Sequence, residues 1–370
     1  MFEQVSRLKE QISCTIQTLT PIHIGAGQKL LKDFDFITSG NRTTIIPQEV
    51  LFNYLRKHED QLQRVVQGEA PPMQVLRAIE QDLGTRNYET ECTAQDLLTF
   101  IRTGLGTPYL PGSSVKGAIR TAFVHHYWNQ LSEAAQQTLL GKVKQIGRVK
   151  HNRRKEWAAE PIVEHLLGKT PNENWGRFLQ VSDAHFEQQD MELNHVRVIS
   201  LSDRNQQGWY YKSYDIFAEM LQWEITSEIS ISLDQFLSTH TLVSKSLRQK
   251  GLSWEQLCMV CNDYAKTKLE DEADWMDMQG LEEPKGSIEE LLDFIPKNHD
   301  GFLLRLGWGS GWVHMTGDYL NDDDLDEMRT IFRLSKYTPN QVPLFPKSRR
   351  IIMDGKGPWN VTGWVLITRK

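Results

Sequence analysis

Hydrophobic and polar residues alternate over residues 11–24, which are rich in Ile and Thr. A period of two is typical of a half-buried strand, so we predict a strand here that ends at the glycines of 25–27. By the same criteria, strands are predicted over 33–38, 43–47, 177–186, 195–201, the end of 209–233, 301–306 and 360–368. Helices are predicted over 48–66, 113–140, 234–248, 253–272, 287–294 and 323–334, with a helix-rich stretch up to about residue 103.

The order of these elements shows helices and strands interspersed without a regular βαβ series. This order favours an α+β fold with antiparallel sheets over a doubly wound parallel sheet. The length of 370 residues suits two to two and a half domains. The polar segment SDRNQQG indicates a boundary, which gives two predicted domains, 1–205 and 206–370.

The composition is that of a soluble globular protein, with 24% charged and 39% hydrophobic residues. No apolar run approaches the roughly 20 residues that a membrane span needs, and MFEQVSRLKE lacks the apolar region of a signal peptide. We therefore expect a cytoplasmic protein without a membrane partner. Cys258 and Cys261 form a C-x-x-C in a helical segment without a second ligand pair, so we predict core cysteines, with no metal and no cofactor.

The charge is unevenly distributed. A net charge of −6 argues mildly against a free-standing nucleic-acid binder, but residues 142–155 carry seven Lys or Arg and no acid. This basic strip is either an RNA-binding surface or a solvated loop. Its RNA-binding candidates are Arg148, Lys150, Arg153 and Arg154. The acidic run that begins at Asp322 is predicted to start a helix, where the dipole favours acids.

The segment PGSSVKGAIRTAF predicts a helix that begins at Gly112. Its apolar residues recur every three to four positions and define one buried face. Ser113 or Ser114 is the predicted N-cap. The segment is not a nucleotide-binding P-loop, because Ala118 occupies the position at which that motif needs Lys.

The first turn of this helix also carries Lys116 and Gly117, and Arg120 follows one turn later. A cation here opposes the helix dipole, and glycine costs about 1 kcal/mol relative to alanine. One explanation is a bound phosphate, held by backbone amides, hydroxyl groups and the Lys. The other is a solvent-facing Lys beside a glycine that lets another element pack closely.

Two further segments carry candidate chemistry. GWGSGW, from Gly307 to Trp312, follows a predicted strand and could present backbone amides to phosphate, although it lacks the third glycine of a dinucleotide fingerprint. Its tryptophans could stack bases or pack in the core. PKSRR, over 346–350, places three cations in a turn.

Three motifs together resemble the RAMP superfamily of CRISPR-associated proteins: TPIHIGAG over 20–27, YLPGSSVKGAIR over 109–120, and LGWGSGW over 306–312 with the later PKSRR. Within the superfamily, the chain is most similar to the subunit that caps the 3′ end of the guide RNA in type III-A (Csm) effector complexes. The resemblance implies two ferredoxin-like (RRM-related) domains with helical insertions. It also implies a non-catalytic subunit that binds guide RNA, contacts the backbone RAMP subunit and supports guide maturation with host nucleases.

The resemblance and the positive charge select these RNA-binding candidates: His23, Gly25, Gly27, Gly112, Ser113, Ser114, Lys116, Arg120, Gly307, Gly309, Gly311, Lys347, Arg349 and Arg350. Since a guide is held whatever its sequence, contacts to phosphates and 2′-hydroxyls suit this role. The alternative is a RAMP-type RNA endonuclease that acts on guide precursor or target RNA. In that case His23 would be the general base, or Asp33 would be the aspartate of a metal-assisted cleavage, although Asp33 lies in a predicted strand.

Overall fold

The computed structural model describes residues 9–67, 86–149, 155–170, 172–202, 208–234, 252–314, 320–334 and 344–370. The basic-strip residues Lys150, Arg153 and Arg154 lie outside these ranges, as does the helix predicted over 234–248 apart from its first residue. The strands are β1 (Lys9–Thr18), β2 (Gly25–Leu31), β3 (Phe36–Ser39), β4 (Arg42–Ile45), β5 (Asn87–Tyr88), β6 (Asp96–Phe100), β7 (Tyr109–Leu110), β8 (Leu179–Val181), β9 (Ala184–His185), β10 (Met191–Leu201), β11 (Trp209–Tyr211), β12 (Ile216–Leu221), β13 (Thr226–Asp234), β14 (Gly301–Arg305), β15 (Ser348–Met353), β16 (Pro358–Asn360) and β17 (Trp364–Arg369). The α-helices are α1 (Gln48–Leu55), α2 (Glu59–Val66), α3 (Gly112–Asn129), α4 (Glu133–Arg148), α5 (Glu160–Leu167), α6 (Trp254–Met278), α7 (Glu282–Asp293) and α8 (Asp322–Phe332), and 3-10 turns occupy Trp175–Phe178 and Gln188–Asp190.

A five-stranded antiparallel sheet is built around β1, in the order β14-β17-β1-β13-β8. Ile12, Cys14 and Ile16 alternate into the core, which is the predicted pattern. The strand ends at Thr18, earlier than predicted, because the next two backbone amides, of Leu19 and Thr20, both donate to the carbonyl of Trp364 and turn the chain away. The glycines of 25–27 begin β2 rather than ending β1, so that prediction was wrong.

A seven-stranded sheet has the order β16-β15-β10-β12-β6-β2, with β11 paired to β10. Its one parallel pair is β12 with β6 among the strands described. Both large sheets combine strands from the two sides of residue 205, and the division into domains 1–205 and 206–370 stays a prediction. The mixed α+β class is confirmed.

The helices differ from the predictions in several places. The helix predicted over 48–66 is two helices, α1 and α2, and α5 was not predicted. The single helix predicted over 113–140 is two helices, because Ser132 caps the start of α4 by accepting from the amide of Ala135. The helix-rich stretch up to residue 103 contains β5 and β6, where Leu97 is buried between strands from distant parts of the chain. Cys258 and Cys261 are free and buried in the core, as predicted.

Helices α3 and α6 position the candidate site by packing on the five-stranded sheet and on each other. Val115, Ile119 and Phe123 form the buried face of α3, as the spacing predicts. Within the described ranges, no helix has the length and apolar character to cross a bilayer.

Candidate nucleic-acid interface

The first and third motifs are in direct contact. The amide of Trp308 donates a hydrogen bond of 2.9 Å to the carbonyl of His23, and the amide of Gly363 donates one of 3.0 Å to that of Pro21. Gly307 has φ +75°, and a Cβ built on it would lie 2.3 Å from the carbonyl oxygen of His23. Only glycine combines this backbone conformation with such a close approach. The Gly-rich loop is therefore fixed against the segment that precedes β2.

The side chain of His23 is buried in this junction, with the residue 2% exposed. Its Nδ1 lies 2.7 Å from the carbonyl of Glu219, and its ring makes edge contacts with Phe100 and Trp308. Burial lowers the pKa of His23, so the ring is neutral at pH 7, and Nδ1 carries the proton because a carbonyl only accepts. Its RNA contact and its alternative role as a general base both stay predictions.

A buried ion cluster lies next to His23 and was missed in the sequence. The Glu219 carboxylate is fully buried, accepts from Arg86 and from the hydroxyl of Tyr88 at 2.5 Å, and lies 3.5 Å from Arg102. Burial alone would raise the pKa of Glu219, but the two guanidinium groups lower it and keep the carboxylate charged. Because its members lie far apart in the chain, no local spacing could have indicated the cluster.

The strand that follows His23 is accessible. Gly25 and Gly27 are exposed at the start of β2, which is an edge strand of the seven-stranded sheet among those described. Asp33 lies in the turn after β2, with φ +64°, and its amide donates to the carbonyl of Phe36. The prediction that Asp33 belongs to a strand was wrong, because the chain reverses there to enter β3. Among the described residues, no three or more His, Cys, Asp or Glu are grouped to hold a metal ion.

The N-terminus of α3 differs from its prediction. Its N-cap is Pro111, and neither Ser113 nor Ser114 caps the helix. Instead, the amide of Gly112 donates to Asp183 Oδ1 at 2.7 Å. A Cβ on Gly112 would lie 2.2 Å from the carbonyl oxygen of residue 181, so this glycine allows the helix to begin against the turn after β8. Ser113 is exposed and Ser114 is half-buried.

The cations of α3 lie one turn further on. Lys116 is half-buried, which lowers its pKa, and Arg120 is exposed. Gly117 is also exposed, and a Cβ on it would meet no atom within 4 Å. The explanation that Gly117 lets another element pack closely is therefore wrong for the described part of the chain. Ser113, Gly117 and Arg120 form an open helix face.

The described end of the basic strip faces the acidic start of α8. Lys144 Nζ lies 2.7 Å from Glu327 and 3.1 Å from Asp324, and Arg148 Nη2 lies 4.0 Å from Glu327. Asn321 caps α8 by accepting from the amide of Asp324, which confirms the predicted acidic helix start. Arg148 is 69% exposed and stays an RNA-binding candidate.

The Gly-rich loop and the PKSRR segment enclose a cavity of about 140 Å³. Gly309, Gly311, Arg349 and Arg350 line it together, and Lys347, just before β15, is half-buried. Arg350 stacks over the ring of Trp308, with its Cζ 4.6 Å from the ring centroid. Sequence candidates from two segments about 40 residues apart thus meet at one cation-lined surface.

Comparisons of the fold give two solved structures that cover nearly the whole chain. One is a chain of a cryo-EM structure of a Csm–crRNA–target RNA ternary complex in a type III-A CRISPR-Cas system, with a TM-score of 0.67 and 20% identity over 97% of this chain and 100% of that one. The other is a crystal structure of Csm5 from T. onnurineus, with a TM-score of 0.64 and 19% identity over 95% and 99%. At these identities the likeness is one of fold.

Sequence comparisons agree. The chain is 26% identical over 219 residues to the CRISPR system protein Csm5 of Methanocaldococcus jannaschii, which covers 57% of this chain and 46% of that protein. The match therefore spans about half the length of this curated relative. The family model of the RAMP superfamily matches residues 15–314, which include all three motifs except PKSRR. The resemblance drawn from those motifs is confirmed, and the chain belongs to the RAMP superfamily.

Proposed function

We propose that this chain is a non-catalytic, RNA-binding subunit of a type III-A CRISPR effector complex. In this role it caps the 3′ end of the guide RNA, contacts the backbone RAMP subunit and supports guide maturation, to which host nucleases contribute. The observation that carries the proposal is the meeting of the Gly-rich loop with Arg349 and Arg350 beside the segment that leads into β2. The similarity to Csm5 supports the choice of complex.

The shape of this surface suits backbone recognition. A guide RNA varies in sequence, so its holder needs cations and amides for phosphates rather than groups that read base edges. Arg120 on α3 and the exposed start of β2 offer such contacts. The net charge of −6 is compatible with this role when neighbouring subunits contribute to the field around the RNA. The proposal includes two ferredoxin-like domains, divided near residue 205.

The environment of the two candidate catalytic residues supports a non-catalytic role. A general base must reach the proton that it removes, and His23 is only 2% exposed. Asp33 occupies a turn, and the described residues include no acidic or His cluster that could share a metal ion with it. These observations favour RNA binding over RNA cleavage.

The test uses the charge reversals Lys116→Glu and Arg120→Glu together. The full chain is co-expressed with the other complex subunits and a guide array, and the complex is purified through another subunit. We expect the double variant to assemble but to lose guide RNA from its 3′ region, with guides left untrimmed. The matched control is Arg56→Glu with Lys57→Glu, two exposed cations at the end of α1.

Guide occupancy and trimming equal to wild type in the α3 double variant would contradict the proposal. Cleavage of guide precursor by the purified chain, lost in His23→Ala or Asp33→Ala, would replace it with the endonuclease alternative. We also expect salt to weaken RNA binding, with log affinity falling against log salt by about 0.7 for each phosphate neutralised.

A further inference from the structure

Leu105 is the most exposed of the large apolar residues in the described part of the chain, at 97%. It lies at the tip of the turn between β6 and β7, with a glycine on either side. The turn is held from its base, because Arg102 Nη1 donates to the carbonyl of Gly106 at 2.9 Å. Arg102 is itself paired with the buried carboxylate of Glu219. The fold therefore holds a leucine in water on a fixed support.

A second turn presents Trp223 in the same way. Trp223 lies between β12 and β13 and is 50% exposed. The buried hydroxyl of Thr18 donates to the carbonyl of Gln222 at 2.6 Å and accepts from the amide of Ile225 at 2.9 Å. The amide of Glu224 donates to the carbonyl of Thr18 at 2.7 Å. This turn, too, is fixed by a group in the core while its largest side chain faces solvent.

The two turns lie side by side. Strands β6 and β12 are parallel neighbours, so the turns that follow them leave the same end of the seven-stranded sheet. Residues 186–190 connect their bases, since the amide of Phe186 donates to the carbonyl of Pro108 and the amide of Gln222 donates to that of Asp190. Four residues span at most about 14 Å, so the bases of the turns are no further apart than that. Leu105 and Trp223 thus belong to one surface.

The charge of this surface is negative. Segments 103–110, 182–190 and 222–228 contain five Asp or Glu and no Lys or Arg. Glu187 and Glu224 are exposed, and neither forms an ion pair with a described residue. Carboxylates repel phosphates, so this surface is unsuited to RNA. The exposed start of β2 lies on the other side of β6 from β12, so the RNA-binding candidates there are separate from it.

We infer that the turns of Leu105 and Trp223 form a protein-docking surface for a neighbouring subunit of the effector complex. The matching surface of that subunit is an apolar hollow bordered by Lys or Arg, since apolar side chains at the centre and opposite charges at the rim are typical of protein interfaces. Because both turns are fixed from the core, docking them costs little conformational freedom. The inference rests on the proposed function for the identity of the assembly.

The test measures binding of the purified full chain to the complex. The complex is assembled with a guide array in cells that lack this chain, purified through another subunit, immobilised, and titrated at fixed salt. Leu105→Ser and Trp223→Ser should each weaken binding by at least about tenfold, as expected when a large apolar side chain is no longer buried. Leu105→Ser carries the test alone if Trp223→Ser lowers the melting temperature, because Leu105 is almost fully exposed.

The matched control is Met278→Ser, which removes another exposed apolar side chain (67%) from the end of α6. Met278 lies beside the contact of Trp209 Nε1 with the carbonyl of Gln279. Trp209 pairs with the last residue of β10, whereas the docking surface lies at the first, and the strand spans about 33 Å between them. Met278→Ser should therefore bind like wild type.

A charge reversal separates a protein ligand from RNA. Glu224→Lys should weaken binding to the complex by about threefold or more, because the partner is expected to carry Lys or Arg at its rim. Glu283→Lys, at an exposed acid close to Met278 in sequence, is the control and should leave binding unchanged. Tighter binding of Glu224→Lys would contradict the inference, because an added cation strengthens a contact with RNA.

Photocrosslinking identifies what covers the tip. Leu105→p-benzoyl-L-phenylalanine is placed in the assembled complex and irradiated, and a crosslink to another protein subunit is expected. A crosslink to guide RNA, or none to any other molecule, would overturn the inference. Binding of Leu105→Ser within twofold of wild type would overturn it as well, while the proposed function stands. If wild type does not bind the complex at all, the proposed function fails together with the inference.

Discussion

Replacing Gly307 with alanine tests the junction between the Gly-rich loop and the segment of His23. The substitution has two costs. The first is the positive φ of +75°, which costs an L-residue roughly 1–2 kcal/mol. The second cost is a steric clash, because the new Cβ would lie 2.3 Å from the carbonyl oxygen of His23. Real Cβ atoms stay beyond 3.0 Å from such atoms, so the two backbones must move apart by about 0.7 Å or more.

That separation weakens the hydrogen bond from the Trp308 amide to His23 and leaves a buried carbonyl without a partner, which costs about 1–3 kcal/mol. We therefore expect Gly307→Ala to lower the free energy of unfolding by about 2–5 kcal/mol. The assay is urea denaturation of the full chain. Free energies of unfolding are compared between wild type and variant when both show the same dependence of that free energy on urea concentration.

Gly311→Ala is the matched control, because Gly311 has the same φ of +75°. The nearest atom beyond its chain neighbours, the carbonyl oxygen of Gly309, would lie 3.9 Å from the new Cβ. Gly311→Ala should show the conformational cost alone, about 1–2 kcal/mol. Equal losses of stability in the two variants would refute the argument, since they would mean that the contact with His23 contributes nothing.

Three other changes probe the buried charges and an open helix position, each measured by urea denaturation. Glu219→Gln should cost about 3–5 kcal/mol, because it leaves the half-buried Arg86 and Arg102 without the buried carboxylate that they share. The pKa of Glu272 in the folded state lies below its ordinary 4.5, because Arg305 stabilises the charged carboxylate, so Glu272 stabilises the fold above that pH. The difference in the free energy of unfolding between wild type and Glu272→Gln should therefore shrink as the pH falls from about 6 to about 3. A difference that stays constant over this range would contradict the argument. Gly141→Ala, in α4 with no atom within 4 Å of the new Cβ, should raise stability by about 0.5–1 kcal/mol.

Local periodicity predicted the elements whose packing follows from their own pattern. The core face of α3 and the buried cysteines of α6 are examples, since side chains three or four positions apart share one side of a helix. It failed for β6, whose neighbours β12 and β2 come from distant parts of the chain. It also failed at the start of α3, where Pro111 rather than a serine is the N-cap and Asp183, from beyond β8, accepts from the amide of Gly112.

The candidate site divides in the same way. The three motifs correctly indicated one superfamily, and two of them are in contact, but their spacing could not show which glycines face solvent. The cluster of Glu219 with Arg86 and Arg102 joins residues from distant parts of the chain, which a single sequence does not show. The sequence alone therefore could not predict the parts of the site that form through tertiary contacts.

The glycines of the three motifs fall into two classes with different consequences for RNA binding. A Cβ on Gly112, Gly307 or Gly309 would meet atoms of this chain at 2.1–2.3 Å, so these glycines are needed for close packing. A Cβ on Gly27 or Gly117 would meet nothing within 4 Å. The packed class holds the loop and the helix in place, so substitutions there disturb the fold before they disturb any contact with RNA. Substitutions in the open class should change RNA affinity more than stability, and those in the packed class should change stability first.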